Sequence, residues 1–387
     1  MLELILFLVG LLVTVLLTLL FLYLSPGWEP FKERVEVLVS KLRGRSKRPP
    51  VKVGPMVLTG VRQARLMPMT VGAMTLPLRR LVGGDGRTEY RPPYGIAATW
   101  NAGKLTLPAD VLDIYARVVE KRRSDAAKRG AVFENRDHVR LDDYSFGLTG
   151  MHDTPWPLKL SVSVTDYYTI QATNYGIDEI LAGGKTMREK YAEDPGDLRN
   201  SVLGNPIATN MSVVTADKTV YVAVRGAKTA TTPSGFAPAV SGTGNPHLDC
   251  DEKGQYDPFL TAQRETAEEI TGNPPALEEI RFFGLGRTLR YQLPFLFGEV
   301  RLANVTAKQL ESSMPRDSWE AEKIVALALE PDAVVRFVRE VYKETDENNI
   351  VNSATYAALF ALLQSLLYEY PDEWASVVQQ LSSLEKK

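Results

Sequence analysis

The residues best placed to do chemistry in this 387-residue sequence are an arginine and three glutamates close behind it. Glu265, Glu268 and Glu269 follow Arg264 at i, i+3 and i+4, so a helix would project their three carboxylates from one face. Like charges this close repel one another, and a divalent cation bound between them turns this repulsion into a net attraction. Hard carboxylate oxygens suit Mg²⁺ or Mn²⁺, which also bind phosphate oxygens. The pattern therefore predicts a metal site for a phosphate-containing ligand, with Arg264 holding a carboxylate or the preceding loop.

A solvated acidic helix face is the alternative explanation, because acidic surface helices are common. However, an R-E-x-x-E-E string is expected by chance in fewer than about one in a hundred chains of this length. Its context also favours chemistry, since a strand pair and a glycine-rich loop precede the string and further strands follow it.

Local signals predict the elements that must position these carboxylates. Asp257-Pro258 is an N-cap followed by proline at the first helical position, and Gly272 follows a helix predicted over 257–271. Upstream, 207–214 and 219–224 are typical of two strands joined by a hairpin turn. Further strands are predicted at 280–283, 291–302 and 324–329, and helices at 332–344, 353–370 and 372–384.

The residues before 200 carry a mixed pattern and no catalytic signature. The spacing predicts a helix over 108–128 and a strand over 158–164, and the charged segment 136–144 is expected to be a loop or an edge. Short strands with intervening helices favour an α+β or α/β fold.

The carboxylate string resembles the box of the Nudix superfamily, G-x5-E-x7-R-E-U-x-E-E-x-G-U with U apolar. Arg264, Glu265, Glu268 and Glu269 match its R-E and E-E core, and the glycine-rich turn 234–244 resembles the segment that leads into it. The resemblance covers about 203–331 and implies a Nudix-like α/β/α sandwich with a mixed sheet. It implies that the three glutamates bind Mg²⁺ or Mn²⁺, that Glu268, Glu269 and Arg264 are catalytic, and that water attacks a nucleoside diphosphate linked to another group.

The sequence departs from the box at several positions. Counting back from Arg264 places the box glycine at Cys250 and the upstream glutamate at Tyr256. Thr266 stands where an apolar residue is usual, and Gly272 comes one residue late. A longer loop could supply other residues for the missing glycine and acid: Gly244, Gly254, Asp251, Glu252 or Asp257. Glu320 or Glu322 could supply the later carboxylate that the family often adds.

The composition excludes several classes. The formal net charge is −2, which is not the footprint of a DNA- or RNA-polymer binder. Cys250 is the single cysteine, so no internal disulfide can form, and three scattered histidines give no structural zinc pattern.

The first residues predict a membrane anchor. No charged residue occurs between Leu4 and Trp28, and 4–24 is nearly all Leu, Val, Phe or Ile, long enough for a helix of roughly 31 Å to cross a hydrocarbon core. A cleaved signal peptide is disfavoured, because no Lys or Arg precedes the apolar run. The basic flank over 29–52 predicts a single-pass protein of the cell membrane, with a cytoplasmic body and a lipid bilayer as partner.

Two functions of different classes follow from these features. The first is a membrane-anchored, metal-dependent Nudix-type pyrophosphohydrolase. The second is a non-catalytic sensor, because the architecture resembles the transmembrane–Nudix effectors of cyclic-oligonucleotide antiphage defence, which implies a nucleotide or cyclic oligonucleotide ligand and a possible homo-oligomer. A third alternative places the function before residue 200, with Tyr167, Tyr168 and Asn174 as binding groups.

The sequence predicts five consecutive segments along the chain. They are an anchor (1–28), a basic linker (29–52), an α+β region of unknown role (53–200), a Nudix-like domain (201–331) and C-terminal helices (332–387).

Overall fold

The computed structural model describes residues 68–384, apart from residues 104, 129, 147–156, 226–234, 315–320 and 345–352. All described residues belong to one compact unit, Gly60–Lys387.

The described residues form thirteen strands and eight α-helices. The strands are β1 (Met69–Val71), β2 (Met74–Leu76), β3 (Leu78–Gly83), β4 (Ile96–Trp100), β5 (Asp137–Ser145), β6 (Leu158–Asp166), β7 (Ala208–Thr215), β8 (Thr219–Arg225), β9 (Phe236–Pro238), β10 (Val240–Thr243), β11 (Ile280–Thr288), β12 (Pro294–Leu302) and β13 (Ala321–Ala328). The helices are α1 (Ala109–Ala127), α2 (Tyr167–Thr173), α3 (Met187–Tyr191), α4 (Pro258–Thr266), α5 (Ala307–Ser313), α6 (Pro331–Glu344), α7 (Ser353–Glu369) and α8 (Trp374–Ser382).

A mixed sheet organises the unit. Its strand order is β13-β8-β7-β12-β11-β3, with β10 also paired to β7 and β9 to β8. The β12–β7 pair is parallel and the other pairs are antiparallel. A second sheet has the order β4-β6-β5, and β1 pairs with β2. Because β3 is an edge strand of the main sheet, residues on both sides of position 200 build that sheet.

The two faces of the main sheet bury different partners. Val214 and Phe297 belong to the apolar core that helices α6, α7 and α8 cover, where Phe297 meets Phe360 with ring centroids 4.7 Å apart. Met211 and Leu296 belong to the opposite core, which α4 and the three-stranded sheet cover. Alternation along each strand produces this division, since successive side chains point to opposite faces.

Most predicted elements around the carboxylates are confirmed. The hairpin of β7 and β8, the helix after Asp257 and the three C-terminal helices form close to their predicted bounds. Helix 108–128 is confirmed as α1, and strand 158–164 as part of β6. The charged segment 136–144 forms β5, an edge strand of the smaller sheet.

The predicted fold class requires a correction. The structure is α+β with mixed sheets, and in the part of the chain that it describes no helix is long and apolar enough to cross a membrane. Even α7, with its run of apolar residues, has only 17 residues and lies in the core against the sheet. The structure therefore gives no support to a transmembrane helix in the fold, and the predicted anchor over 1–28 lies outside the described residues.

Candidate functional site

Helix α4 carries the predicted site, and its first residues are fixed as the sequence indicates. The Asp257 side chain accepts a hydrogen bond from the Phe259 backbone N–H at 2.9 Å, and Pro258 occupies the first helical position. Phe259 and Ala262 are buried in the core beneath the main sheet. The helix therefore turns its polar face toward β10 and the loop that follows it.

Arg264 is the centre of the site. Its Nε and Nη2 donate to the two carboxylate oxygens of Asp249 at 2.8 and 2.9 Å, and its Nη1 donates to Glu265 Oε1 at 2.8 Å. Nη2 also donates to the Thr243 carbonyl at 3.3 Å. Burial lowers the pKa of Arg264, but the hydrogen bond that it donates to Asp249 and the charges of Glu265 and Asp249 outweigh burial and raise that pKa overall. Arg264 is therefore a fixed cation that orients Glu265.

Asp249 is the functional residue that sequence reasoning missed. Its side chain is fully buried, and it also accepts hydrogen bonds from the Asn245 backbone N–H at 2.8 Å and the Thr261 hydroxyl at 2.9 Å. The sequence resemblance instead points to Asp251, Glu252 or Asp257 for the acid that precedes Arg264. No periodic signal marks Asp249, because it lies in an irregular loop and meets Arg264 only through folding.

Glu265 lies in a recess that Gly242 leaves in β10. A Cβ atom added at Gly242 would stand 1.8 Å from the Glu265 carboxyl carbon, so any larger residue would displace this carboxylate from its position. The Glu265 side chain is 13% exposed. Its carboxylate is thus pressed between the strand backbone and Arg264.

Glu269 reaches the neighbouring residue of the same strand. The Ser241 backbone N–H donates to Glu269 Oε2 at 2.9 Å. Glu265 and Glu269, one helical turn apart, therefore bring two carboxylates to consecutive residues of β10. Glu268 points elsewhere: its side chain is 59% exposed and meets Arg264 Nη1 at 3.5 Å.

A π-helical turn lies between the glutamates and Gly272, the glycine that the sequence resemblance places one residue late. Residues Ala267–Thr271 form this turn, and the Gly272 N–H donates to the Ala267 carbonyl, five residues back, at 2.9 Å. A π turn takes up one extra residue in a helix. Gly272 then ends the helix at φ 71°, a left-handed conformation that glycine adopts at little cost. Glu268 and Glu269 lie within this turn, whereas Glu265 lies before it.

Thr266 occupies a position at which the sequence resemblance predicts an apolar residue. Its side chain is buried, and its hydroxyl donates to the Ala262 carbonyl at 2.6 Å. The helix itself satisfies the polar group, so the side chain packs as a small apolar residue would.

The rim of the site comes from the smaller sheet. His138 on β5 lies beside Thr243, with 2.9 Å between His138 Nδ1 and the Thr243 hydroxyl. Burial lowers the pKa of His138 below its usual value, which favours the neutral imidazole at pH 7. The ring centroids of His138 and Tyr167 lie 6.3 Å apart. The imidazole therefore lies beside the residue whose carbonyl accepts a hydrogen bond from Arg264.

The other predicted candidates lie in structural positions. Tyr256, at the box-glutamate register, is buried, and its hydroxyl meets the Thr261 hydroxyl at 3.2 Å. Cys250 donates to the Pro246 carbonyl. Asn174 is buried and links the Tyr291 carbonyl to the Asn205 N–H, which is a packing role. Glu320 and the side chain of Glu322 lie outside the described residues.

The chain matches no protein-family model and no curated protein. Among solved structures, the crystal structure of DR0079 from Deinococcus radiodurans covers 35% of this chain and 73% of its own length, with 11% sequence identity and a TM-score of 0.26. A likeness at that level carries no argument about fold or function.

Proposed function

We propose that this chain is a Nudix-type hydrolase that uses a divalent cation to split a nucleoside diphosphate linked to another group. The observation that supports it best is the placement of Glu265 and Glu269 at consecutive residues of β10 beside the clamped Arg264. Two fixed carboxylates next to an immobilised guanidinium are what a phosphate-directed metal site requires.

The donor set fits Mg²⁺ or Mn²⁺. Among the described residues no group of three or more His, Cys, Asp or Glu side chains is gathered as a metal cluster. Mg²⁺, however, is commonly bound through one or two carboxylates together with water and substrate phosphates. Glu265 and Glu269 would hold the ion, whereas the exposed Glu268 would contact the ion only through water. When bound, the cation supplies charge neutralisation and Lewis-acid polarisation of the diphosphate.

The protein's own residues would keep this arrangement rigid. Asp249 holds two nitrogens of Arg264, and Arg264 holds one oxygen of Glu265, so the carboxylate is fixed through a chain of charged hydrogen bonds. The Ser241 N–H holds Glu269. Such supporting contacts keep ligands in position and are typically worth about 10- to 100-fold in metal affinity or activity.

A second candidate function is nucleotide binding without hydrolysis. The ion pairs of Arg264 with Glu265 and Glu268 favour it, because a cation must compete with the guanidinium for the same oxygens. The two functions share a ligand class and differ in whether product forms.

Turnover by the full-length chain separates the two candidates. The substrates are nucleoside diphosphates linked to a sugar, to a second nucleoside or to phosphate. Each is assayed with Mg²⁺ or Mn²⁺ for release of the nucleoside monophosphate and of the other phosphorylated product. We expect hydrolysis of at least one substrate, and we expect EDTA to abolish it and excess Mg²⁺ to restore it. The carboxylates and the diphosphate are both negatively charged, so the cation is needed to hold them together and to polarise the diphosphate. Tight nucleotide binding with no product in any metal would support the second function and reject the hydrolase.

A further inference from the structure

A cavity of about 650 Å³ lies away from the carboxylates, on the sheet face that α7 and α8 cover. The residues that line it include Thr70, Arg80, Gln364, Leu367, Trp374 and Val378. Small-molecule sites usually enclose about 300–1,000 Å³ and combine an apolar wall with a few polar groups. The cavity has the size and the mixed lining of such a site.

Gln364 supplies a hydrogen-bond acceptor that is unused in the described structure. Its residue exposure is 2%, and its Oε1 has no hydrogen-bond partner among the described residues. A buried polar atom without a partner loses its hydrogen bonds to water without replacement, and such atoms are rare in folded proteins. An N–H or O–H group of a ligand in the cavity would satisfy it.

Arg80 supplies positive charge next to that acceptor. Its Nη1 donates to the Gly84 carbonyl at 2.7 Å. A Cβ atom on Gly84 would stand 3.0 Å from both Arg80 Cδ and Gln364 Oε1, so both side chains pack closely around this glycine and lie near each other. The neighbouring Arg79 forms an ion pair with Asp194 at 2.8 Å, whereas no ion pair of Arg80 is found within the described residues.

Three side chains from α7 and α8 form an apolar part of the wall. Leu367 is nearly buried, and Trp374 and Val378 are half-buried beside it. An indole face gains most from stacking against another planar ring. The wall therefore favours a ring over a flexible chain.

We propose that this cavity binds a small organic anion that has a planar ring and an N–H donor. The ring would lie against Trp374, the carboxylate or phosphate near Arg80, and the N–H on Gln364 Oε1. This site is separate from the carboxylates on α4 and stands whether or not hydrolysis occurs there.

The test uses ligand-observed NMR titration of the full-length chain with two probes that carry these features. 2-Aminobenzoate has a carboxylate and AMP has a phosphate, so the pair distinguishes the two kinds of anion. Benzoate lacks the N–H donor and aniline lacks the charge. We expect at least one probe to bind, and each of the two control compounds to bind at least about tenfold more weakly than 2-aminobenzoate where the latter binds.

Two substitutions assign the site. Gln364→Met keeps the volume and removes the acceptor, and Arg80→Ala removes the charge, so each should weaken binding of the probe at least about tenfold. Arg117→Ala, on the exposed face of α1, is the matched control and should leave binding unchanged. Failure of both probes to bind, or binding that either Arg80→Ala or Gln364→Met leaves unchanged, would overturn the proposal. A cavity that holds water alone gives the first of these results.

Discussion

A Glu269→Gln variant is expected to keep the fold and to lose about 100- to 1000-fold of kcat, a loss of about 2.7–4 kcal/mol in transition-state stabilisation. Glutamine keeps an oxygen that can accept the Ser241 N–H, so the contact between the helix and β10 survives. What disappears is the negative charge that would hold the cation beside Glu265. The measurement is steady-state hydrolysis of whichever substrate the wild type turns over, with circular dichroism to confirm the fold.

Glu268→Gln is the matched control for this substitution. It changes the same group one residue earlier on the same helix, but Glu268 is 59% exposed and does not reach β10. Its effect on kcat should stay below about tenfold, the size of a modest electrostatic contribution. Equal losses in the two variants would contradict the assignment of the cation to Glu265 and Glu269.

Asp249→Asn is expected to lower the free energy of unfolding by about 3 kcal/mol. This is the typical cost of removing one partner from a buried ion pair. Asp249 is fully buried and accepts two hydrogen bonds from Arg264, whose own side chain is 21% exposed. An amide offers one acceptor oxygen, and its NH₂ group would face the guanidinium. Arg264 then loses the buried carboxylate that accepts from two of its nitrogens and keeps only its ion pairs with Glu265 and Glu268, so the orientation of Glu265 is less well fixed.

The free energy of unfolding is read from urea titration of the full-length chain. Asp251→Asn is the control, because Asp251 is an exposed residue of the same loop whose Oδ1 accepts from Lys253 and Gln255 N–H groups. Asparagine can accept the same bonds, so the expected change is within about 0.5 kcal/mol. A loss at Asp249 no larger than that at Asp251 would show that the pair does not hold the loop to the helix.

The sequence was sufficient for the parts of the site that depend on local signals. The Asp257-Pro258 cap fixes where α4 begins, and the spacing of the three glutamates follows from helical geometry alone. The hairpin of β7 and β8 is likewise local, since its turn lies between two runs of β-branched residues.

The parts that could not be predicted all depend on contacts between distant segments. Asp249 meets Arg264 from an irregular loop, and Gly242 matters only because a helix side chain packs onto its strand. The π turn could not be derived from an extra residue alone, because an insertion can also enter a loop. The helical spacing predicts that the three glutamates act together, yet only Glu265 and Glu269 reach β10. These two residues are one helical turn apart and face the strand, whereas Glu268 faces solvent.

The same reasoning applies to the larger organisation. The segment before 200 gave no sign that it contributes β3 to the main sheet or that β5 brings His138 to Thr243. Edge strands are paired by tertiary contacts, and their short, charged sequences do not identify the partner.

Binding of Mn²⁺, followed by electron paramagnetic resonance on the full-length chain, tests most directly the claim that two carboxylates on α4 form a cation site against β10. The wild type and Glu268→Gln should each bind about one Mn²⁺, because hard oxygen sites of this kind accept Mn²⁺ in place of Mg²⁺. The double variant Glu265→Gln/Glu269→Gln should bind none at the same concentrations while remaining folded. Mn²⁺ binding by the double variant that equals the wild type, or no binding by the folded wild type, would contradict the account.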